Sequence, residues 1–278
     1  MILSKEEIVL PESKEKFIES GWGKDVRDGT IVNKIIYESD GLEVNGYLAY
    51  PKNIKGKLPL IIWNRGGYRK DGRIDEFIAR GMFGEIASWG YFVLASQYRE
   101  EEEFGGEDVN DILNLIPLCG EIEFCDSDLI GMEGWSRGGM MTYRVLASTD
   151  KIKCAVIISG LADLYRSMEN ISELKSVYEK YFGRIDDSEF GIKMTERSAV
   201  NFAGKISKNT DILLIHGTND NRVSHTDSED MYKLLKKNGV RCELKLLAGG
   251  DHYLKKYRTE AVELRKNWFA KYLKKSDK

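Results

Sequence analysis

One serine of the chain stands in a pattern that can make it a nucleophile. Ser136 is the centre of a G-x-S-x-G motif at 134–138, which follows a short apolar run and precedes a helical pattern over 140–147. A motif of this kind puts the serine on a tight turn between a strand and a helix, where side chains on its neighbours would clash. The pattern therefore predicts a strained turn that exposes the Ser136 hydroxyl for attack on a carbonyl carbon.

A serine hydroxyl is a weak nucleophile at neutral pH and needs a general base. The chain has three histidines, His216, His225 and His252. His216 ends an apolar run and is expected to fix a turn, whereas His225 begins a helical pattern and is expected at the surface. His252 lies in the loop after the last apolar run, so it comes last in the order serine, acid, histidine. We predict that His252 is the base.

The base in turn needs a carboxylate that orients its ring. Asp220 lies a few residues beyond the penultimate apolar run, so it is expected at the same edge of the sheet as Ser136 and His252. Asp163, which follows an earlier run, is the alternative, whereas Asp251 is adjacent to the histidine and would have to curl back onto its ring. We predict that Asp220 is the acid.

Two backbone amides should stabilise the oxyanion that forms during such a reaction. The residue after the nucleophile, Arg137, supplies one of them. The loop after the third strand reads Trp-Asn-Arg-Gly-Gly-Tyr over 63–68 and supplies the other. We predict Gly66 for this second amide, with Arg65 as the alternative.

The elements that must position these residues follow from the apolar pattern. Two partly alternating segments, 31–38 and 42–50, flank an Asp-Gly turn and predict an antiparallel hairpin. Continuous apolar runs typical of strands buried on both faces follow at 58–63, 91–96, 129–132, 154–159, 212–216 and 242–247. Helical patterns lie between and after them, at 74–88, 109–118, 138–147, 228–237 and 257–273.

This order predicts an α/β protein with the α/β-hydrolase fold, in which helices flank a mostly parallel eight-stranded sheet. One domain is expected over 1–278. Residues 161–208 interrupt the alternation and predict a small helical lid inserted over the carboxyl ends of the strands, where such sheets place their sites. Tyr178 and Phe182 are expected to contribute the acyl-side wall. Tyr68 and Trp135 are the other predicted substrate-binding residues.

Composition excludes several classes of function. The 42 Lys and Arg against 45 Asp and Glu give a net charge of −3, which offers no support for nucleic-acid binding. No apolar run is long enough to span a membrane, and the charged N-terminus does not resemble a secretory signal. The four cysteines lack C-x-x-C spacing and are predicted to be buried free thiols, which indicates a cytoplasmic location. The chemistry needs no metal or organic cofactor.

The chain resembles the catalytic domain of the prolyl oligopeptidase family of serine hydrolases from about Gly41 to its end. The most specific pieces are Gly-Trp-Ser-Arg-Gly-Gly at 134–139 and His-Gly-Thr-Asn-Asp-Asn-Arg-Val at 216–223. Two others are Gln-Tyr-Arg at 97–99 and Gly-Gly-Glu-Asp-Val at 105–109. The resemblance implies the same catalytic triad of Ser136, Asp220 and His252.

The resemblance has two departures. The residues ahead of Gly41 are too few for the β-propeller of family peptidases, whose blades need roughly 40 residues each, so that propeller is expected to be absent. The oxyanion loop has Arg65 where such peptidases often have tyrosine. The chain is therefore expected to hydrolyse an ester or amide through an acyl-enzyme, with a small molecule or a short peptide as substrate. Carboxylesterase and aminoacyl-peptidase remain alternatives, as does a non-catalytic ligand-binding relative.

Overall fold

The protein is described by a computed structural model over residues 1–273, except for the side chains of Arg69 and Asp71. All strands of this part of the chain form one sheet with the order β1-β2-β3-β5-β4-β6-β7-β8-β9. Their bounds are β1 Ile2–Glu7, β2 Thr30–Ser39, β3 Leu42–Pro51, β4 Leu58–Asn64, β5 Phe92–Ser96, β6 Cys125–Trp135, β7 Ile152–Ile158, β8 Asp211–Gly217 and β9 Cys242–Leu247.

The sheet opens with antiparallel strands and continues with parallel ones. β1, β2, β3 and β5 pair antiparallel in turn, whereas β5, β4, β6, β7, β8 and β9 run parallel. The predicted mostly parallel α/β sheet is thus confirmed, but it has nine strands rather than eight. The missed strand, β1, lies at the sheet edge and exposes most of its Leu-Ser-Lys-Glu-Glu sequence, so it lacks the apolar signal of a buried strand.

Helices cover both faces of the sheet. The α-helices are α1 Glu12–Trp22, α2 Lys24–Gly29, α3 Glu76–Ser88, α4 Asn110–Leu113, α5 Leu115–Leu118, α6 Arg137–Leu146, α7 Leu164–Asn170, α8 Ser172–Phe182, α9 Ser188–Arg197, α10 Ala199–Phe202, α11 His225–Lys237 and α12 Arg258–Tyr272. Short 3₁₀ turns lie at Arg69–Gly72, Glu107–Val109, Cys119–Glu121, Ala203–Lys205 and Lys255–Tyr257.

Each buried strand contributes side chains to two apolar cores, because its side chains alternate between the two faces of the sheet. In β4, Leu60 and Ile62 join the core that includes α6 and α11, whereas Ile61 joins the core beneath α1, α3 and α12. All three side chains are fully buried. This two-sided burial explains why the parallel strands read as continuous apolar runs in the sequence.

The predicted helix over 109–118 is interrupted. The structure has a 3₁₀ turn at Glu107–Val109, followed by α4 and α5, which have four residues each. Pro117 lies within α5 and has no backbone N–H to bond the carbonyl of Leu113, so one continuous ladder of hydrogen bonds cannot form.

Residues 161–208, predicted from the sequence as an insertion, are mostly helical and include α7, α8, α9 and α10. The segment joins β7 to β8, two strands that pair in parallel. Tyr178 and Phe182 of α8 and Phe190 of α9 are buried in the same core as the sheet. The insertion is therefore packed onto the domain through its apolar side chains.

Two of the four cysteines differ from the prediction of free thiols. Cys119 and Cys125 form a disulfide with their Cα atoms 5.6 Å apart, whereas Cys154 and Cys242 are free and buried. The 3₁₀ turn at Cys119–Glu121 brings together two cysteines that are six residues apart in sequence. The absence of a C-x-x-C motif does not exclude a disulfide at this longer spacing. Within residues 1–273, no helix combines the length and the apolar character needed to cross a membrane.

Candidate active site

Ser136 occupies a strained turn between β6 and α6. Its backbone has φ 58° and ψ −123°, a left-handed conformation that is costly for a residue with a side chain. A Cβ on Gly134 would lie 2.1 Å from the carbonyl oxygen of Gly138, and one on Gly138 would lie 2.0 Å from that of Asn64. The two motif glycines are thus required by close packing of backbone on both sides of the serine.

Asp220 and His252 meet at the same edge of the sheet. The Nδ1 atom of His252 lies 2.7 Å from Oδ2 of Asp220. The other carboxylate oxygen, Oδ1, accepts hydrogen bonds from the amides of Arg222 at 2.8 Å and Val223 at 2.9 Å. Burial raises the pKa of Asp220, but hydrogen bonds from His216 and His252 outweigh it and leave the pKa well below the usual range. Asp220 is therefore held as a carboxylate.

His252 is also held through its main chain. Its carbonyl oxygen accepts hydrogen bonds from the indole nitrogen of Trp135 at 3.1 Å and from the hydroxyl of Ser159 at 3.2 Å. The residue is 4% exposed. The histidine is thus fixed by its ring on one side and by its backbone on the other, which limits the movement of the ring.

His216 has a contact that the sequence did not indicate. Its Nε2 atom lies 3.2 Å from Oδ2 of Asp220 and 3.1 Å from the carbonyl of Val223, and its Nδ1 atom lies 2.7 Å from the hydroxyl of Ser228. The expected turn-fixing role agrees with the Val223 contact. Because both partners of Nε2 are acceptors, this nitrogen carries the proton and donates it towards Asp220. A histidine at a strand end, four residues before the acid, was the available signal.

The alternative residues for the acid and the base make other contacts. Asp163 caps α7, where Oδ1 accepts hydrogen bonds from the amides of Tyr165 and Arg166. Asp251 accepts a hydrogen bond from the amide of Lys255 at 2.9 Å. His225 is partly exposed, and its ring lies 3.9 Å from a Glu229 carboxylate oxygen.

The predicted oxyanion loop lies directly against the nucleophile. A Cβ on Gly66 would sit 3.2 Å from Cβ and 3.8 Å from Oγ of Ser136. Arg137 is the first residue of α6, so its amide has no acceptor within the helix. The amino end of α6 also favours negative charge. Gly66 thus lies against Ser136, and the Arg137 amide lies at the amino end of the helix that follows Ser136.

The side chain of Arg65 turns away from the site. Its Nε and Nη2 atoms donate to the Gln97 carbonyl at 3.2 and 2.8 Å, and the guanidinium lies over the Tyr98 ring. The residue is fully buried. It also forms an ion pair with Glu102, which bonds Arg137 on its other side. Only the backbone of Arg65 thus remains a candidate for the oxyanion site.

Two cavities meet at Ser136. The first, of about 430 Å³, contains His252 in its wall and is called here the histidine-side cavity. Its wall also includes Trp63, Gly66, Arg73, Ile74, Met82, Trp135, Arg222 and Tyr253. The second, of about 350 Å³, is bordered by α8 and is called the insertion-side cavity. Its wall includes Tyr68, Phe104, Arg137, Leu161, Ile171, Leu174, Tyr178 and Val223.

Comparison with known proteins decides the family. A sequence model described as "Prolyl oligopeptidase family" matches residues 95–276, which include Ser136, Asp220 and His252. The chain belongs to the prolyl oligopeptidase family. Membership confirms the resemblance found in the sequence and the predicted enzyme class, the serine hydrolases.

Two relatives from Bacillus subtilis match different lengths of this chain. It is 26% identical to the uncharacterized peptidase YuxL of Bacillus subtilis over 98% of its own length and 43% of that protein. It is 28% identical to the uncharacterized peptidase YtmA of the same bacterium over 68% of its length and 74% of that protein. The chain thus spans less than half of YuxL.

Solved structures show the same fold. The acylaminoacyl peptidase of Pyrococcus horikoshii superposes with a TM-score of 0.74 at 21% identity, over 90% of this chain and 43% of that one. An acylaminoacyl peptidase solved with Z-Gly-Gly-Phe-chloromethyl ketone superposes with a TM-score of 0.75 at 23% identity, over the same shares. The predicted α/β architecture is confirmed by this likeness.

The predicted substrate-binding residues of this family member fall into three places. Tyr68 and Tyr178 line the insertion-side cavity, and Trp135 lines the histidine-side cavity. Phe182 lines neither cavity, which differs from its predicted place in the acyl-side wall. Its ring stacks on Tyr178 with centroids 5.6 Å apart and is 1% exposed. Phe182 lies one turn further along nearly the same face of α8, so it packs on Tyr178 and does not reach the cavity wall.

No metal centre is evident in the part of the chain that the structure describes. Over residues 1–273, no group of three or more His, Cys, Asp or Glu side chains is arranged to hold a metal ion. The carboxylate and imidazole groups at the site are engaged with one another and with backbone amides.

Proposed function

We propose that this chain hydrolyses ester and amide bonds through an acyl-enzyme formed on Ser136. One observation carries the proposal: the 2.7 Å contact between Asp220 and His252 lies beside a serine in a left-handed turn, and Ser136 and His252 line one cavity. A buried carboxylate bound to Nδ1 keeps the proton on that atom and leaves Nε2 free to accept the serine proton.

The first half of the reaction forms the acyl-enzyme. Ser136 Oγ attacks the substrate carbonyl carbon while Nε2 of His252 takes the hydroxyl proton. The carbonyl oxygen becomes an oxyanion, which the amides of Gly66 and Arg137 bind. The tetrahedral intermediate then collapses, and the leaving alcohol or amine takes the proton from His252. Asp220 remains ionised throughout and stabilises the imidazolium form of His252.

The second half returns the enzyme to its starting state. A water molecule gives its proton to Nε2 of His252 and attacks the acyl carbon, which again forms an oxyanion at the two amides. Collapse releases the carboxylic acid, and Ser136 recovers its proton from His252.

The position of His252 supports an assignment of the two cavities. The general acid must reach the leaving group, and His252 lines only one of the two cavities. The leaving group therefore belongs in the histidine-side cavity, whereas the acyl group belongs in the insertion-side cavity. In this proposal, residues 161–208 act as a lid, and Tyr178 contributes its acyl-side wall.

A peptidase is the second candidate function. An amide needs its leaving amine aligned with the general acid, and the sequence offered no residues for that task. The histidine-side cavity supplies them through Trp63, Met82 and Trp135. YuxL and YtmA are themselves named as peptidases, and one structural neighbour was solved with a peptidyl chloromethyl ketone. These observations favour short peptides and aminoacyl amides beside compact esters.

Labelling by a fluorophosphonate probe tests the proposal. The wild-type chain should be labelled stoichiometrically and should turn over short aryl esters. Ser136→Ala should fold normally but show neither labelling nor turnover. Absence of labelling in the folded wild type would reject the acyl-enzyme and favour the alternative, a ligand-binding relative without catalysis.

The cytoplasmic location predicted from the sequence stays a prediction. The Cys119–Cys125 disulfide weighs against a reducing compartment, because such bonds are rare there. Mass spectrometry of the protein after alkylation in intact cells would report whether the two thiols are joined.

A further inference from the structure

Four buried charged side chains lie beneath the oxyanion loop. Arg65 and Arg137 supply two positive charges, and Glu102 and Asp108 supply two negative charges. The side chains of all four are at most 3% exposed. Burial of this many charges is costly unless each is paired, and none of the four contacts the reacting atoms in the proposed reaction. Their arrangement therefore requires another explanation.

Glu102 joins the two sides of the oxyanion site. Its Oε1 atom binds Nη2 of Arg65, and its Oε2 atom binds Nη1 of Arg137. The same Nη1 donates to the carbonyl of Gly67 at 2.9 Å. One carboxylate thus links the loop at 65–67, which contributes Gly66, to the first residue of α6.

The two arginines would repel each other without this carboxylate. Their guanidinium carbons lie 4.5 Å and 5.2 Å from the centre of the same Tyr98 ring. Burial raises the pKa of Glu102, but the two arginines outweigh it and keep the pKa below its ordinary value. Glu102 is therefore ionised between them, and Asp108 binds Arg137 on its other side.

We propose that Glu102 is a positioning residue of the oxyanion hole, which sets the separation between the amides of Gly66 and Arg137 by clamping Arg65 to Arg137. This inference rests on the proposed acyl-enzyme reaction and adds a residue to it. It predicts that loss of the clamp weakens binding of the transition state while leaving the nucleophile, the base and ground-state binding in place.

The test replaces Glu102 by Gln, which has the same shape and no charge. The NH₂ group of Gln takes the place of one carboxylate oxygen and can only donate, so one of the two arginines loses its acceptor and the cluster gains a positive charge. Loss of one oxyanion donor or a misplacement of about 1 Å costs on the order of 100-fold in turnover. We expect kcat for an aryl ester to fall about 10- to 100-fold, with KM within threefold of wild type.

Two measurements separate positioning from a loss of folded protein. First, kcat is expressed per active site, counted by exhaustive fluorophosphonate labelling, so that unfolded molecules do not contribute. Second, affinity is measured for a short acyl trifluoromethyl ketone, which forms a tetrahedral oxyanion with the serine. That affinity should fall by the same factor as kcat/KM, because both depend on the oxyanion site.

Asp111→Asn is the matched control. Asp111 is fully buried and binds Arg99 at 2.9 Å on the same stretch of chain, but it does not contact the oxyanion loop. Its loss should lower thermal stability and leave kcat per titrated site within threefold of wild type. Should Glu102→Gln fail to fold, the charge-balanced double variant Arg65→Met with Glu102→Gln also removes the clamp, and the same loss of kcat is expected.

The outcomes distinguish this inference from the proposed function. If the wild type is labelled and active but a folded Glu102 variant matches it in kcat per site and in ketone affinity, the positioning role is wrong and the acyl-enzyme stands. An equal loss in Asp111→Asn would likewise overturn the inference. If the wild type is neither labelled nor active, the proposed function is wrong, and the positioning role, which rests on it, is wrong as well.

Discussion

Replacement of Asp220 by Asn is the sharpest probe of the proposed site, because the loop dictates how the new side chain must lie. Oδ1 of Asp220 accepts from the amides of Arg222 and Val223. In the variant, this position must hold the amide oxygen, since both partners are donors. The NH₂ group then takes the place of Oδ2 and faces Nδ1 of His252.

The consequence is a histidine with its proton on the wrong nitrogen. An NH₂ group donates to Nδ1, so His252 must carry its own proton on Nε2 and can no longer accept one from Ser136. Loss of the useful tautomer in this way costs on the order of 10³- to 10⁴-fold in kcat. The free energy of the barrier rises by about 4 to 5 kcal/mol for that factor. KM should change little, because Asp220 lines neither cavity.

The assay is steady-state hydrolysis of an aryl ester, with active sites counted by exhaustive fluorophosphonate labelling and folding checked by circular dichroism. Asp163→Asn is the control: Asp163 caps α7, and Asn is an equally good cap, so its kcat should stay within about threefold of wild type. Activity of Asp220→Asn within tenfold of wild type would refute the argument. A large loss of kcat in Asp163→Asn would instead identify Asp163, which follows the earlier strand, as the acid.

Three further outcomes are expected. Tyr178→Ala should enlarge the insertion-side cavity and shift the kcat/KM optimum towards longer acyl chains, whereas Phe182→Leu, behind that wall, should lower the melting temperature with unchanged preference. Because the pKa of Asp220 is lowered on folding, its stabilisation is present above about pH 4 to 5 and is lost as the pH falls further. The free energy of unfolding should therefore decline in acid more steeply for wild type than for Asp220→Asn, by up to about 1.4 kcal/mol per pH unit. Met82→Ala, which opens the histidine-side cavity, should reduce kcat/KM for aminoacyl amides more than for aryl esters; an equal loss for both would contradict the leaving-group assignment.

The sequence predicted the part of the site that depends on order along the chain. Ser136, Asp220 and His252 each follow a parallel strand, and parallel strands end at one edge of the sheet. Their proximity could therefore be expected from the pattern of apolar runs alone. The contact between Asp220 and His252 then required only loops that turn back over this edge, which the glycines around 217 and 249–250 permit.

The sequence could not predict contacts made by residues that look solvent-exposed. Glu102 lies in a run of four glutamates at 100–103, a pattern that usually indicates a solvated loop. It is buried only because Arg65 and Arg137 come from two other elements that converge on it. His216 was missed as a partner of Asp220 for a different reason: a histidine at a strand end was interpreted only as fixing a turn, although the acid follows it by four residues.

The two cavities share Gly67, Ser136 and Arg222 but are otherwise lined by different residues, and in the proposed reaction this division has a kinetic consequence. Once the alcohol or amine departs, the histidine-side cavity is vacant while the acyl group still fills the other one. Any nucleophile that fits between Trp63, Met82 and Trp135 can then compete with water for the acyl carbon. In the proposed acyl-enzyme reaction, a concentrated amine or alcohol would thus divert the acyl group into a new amide or ester.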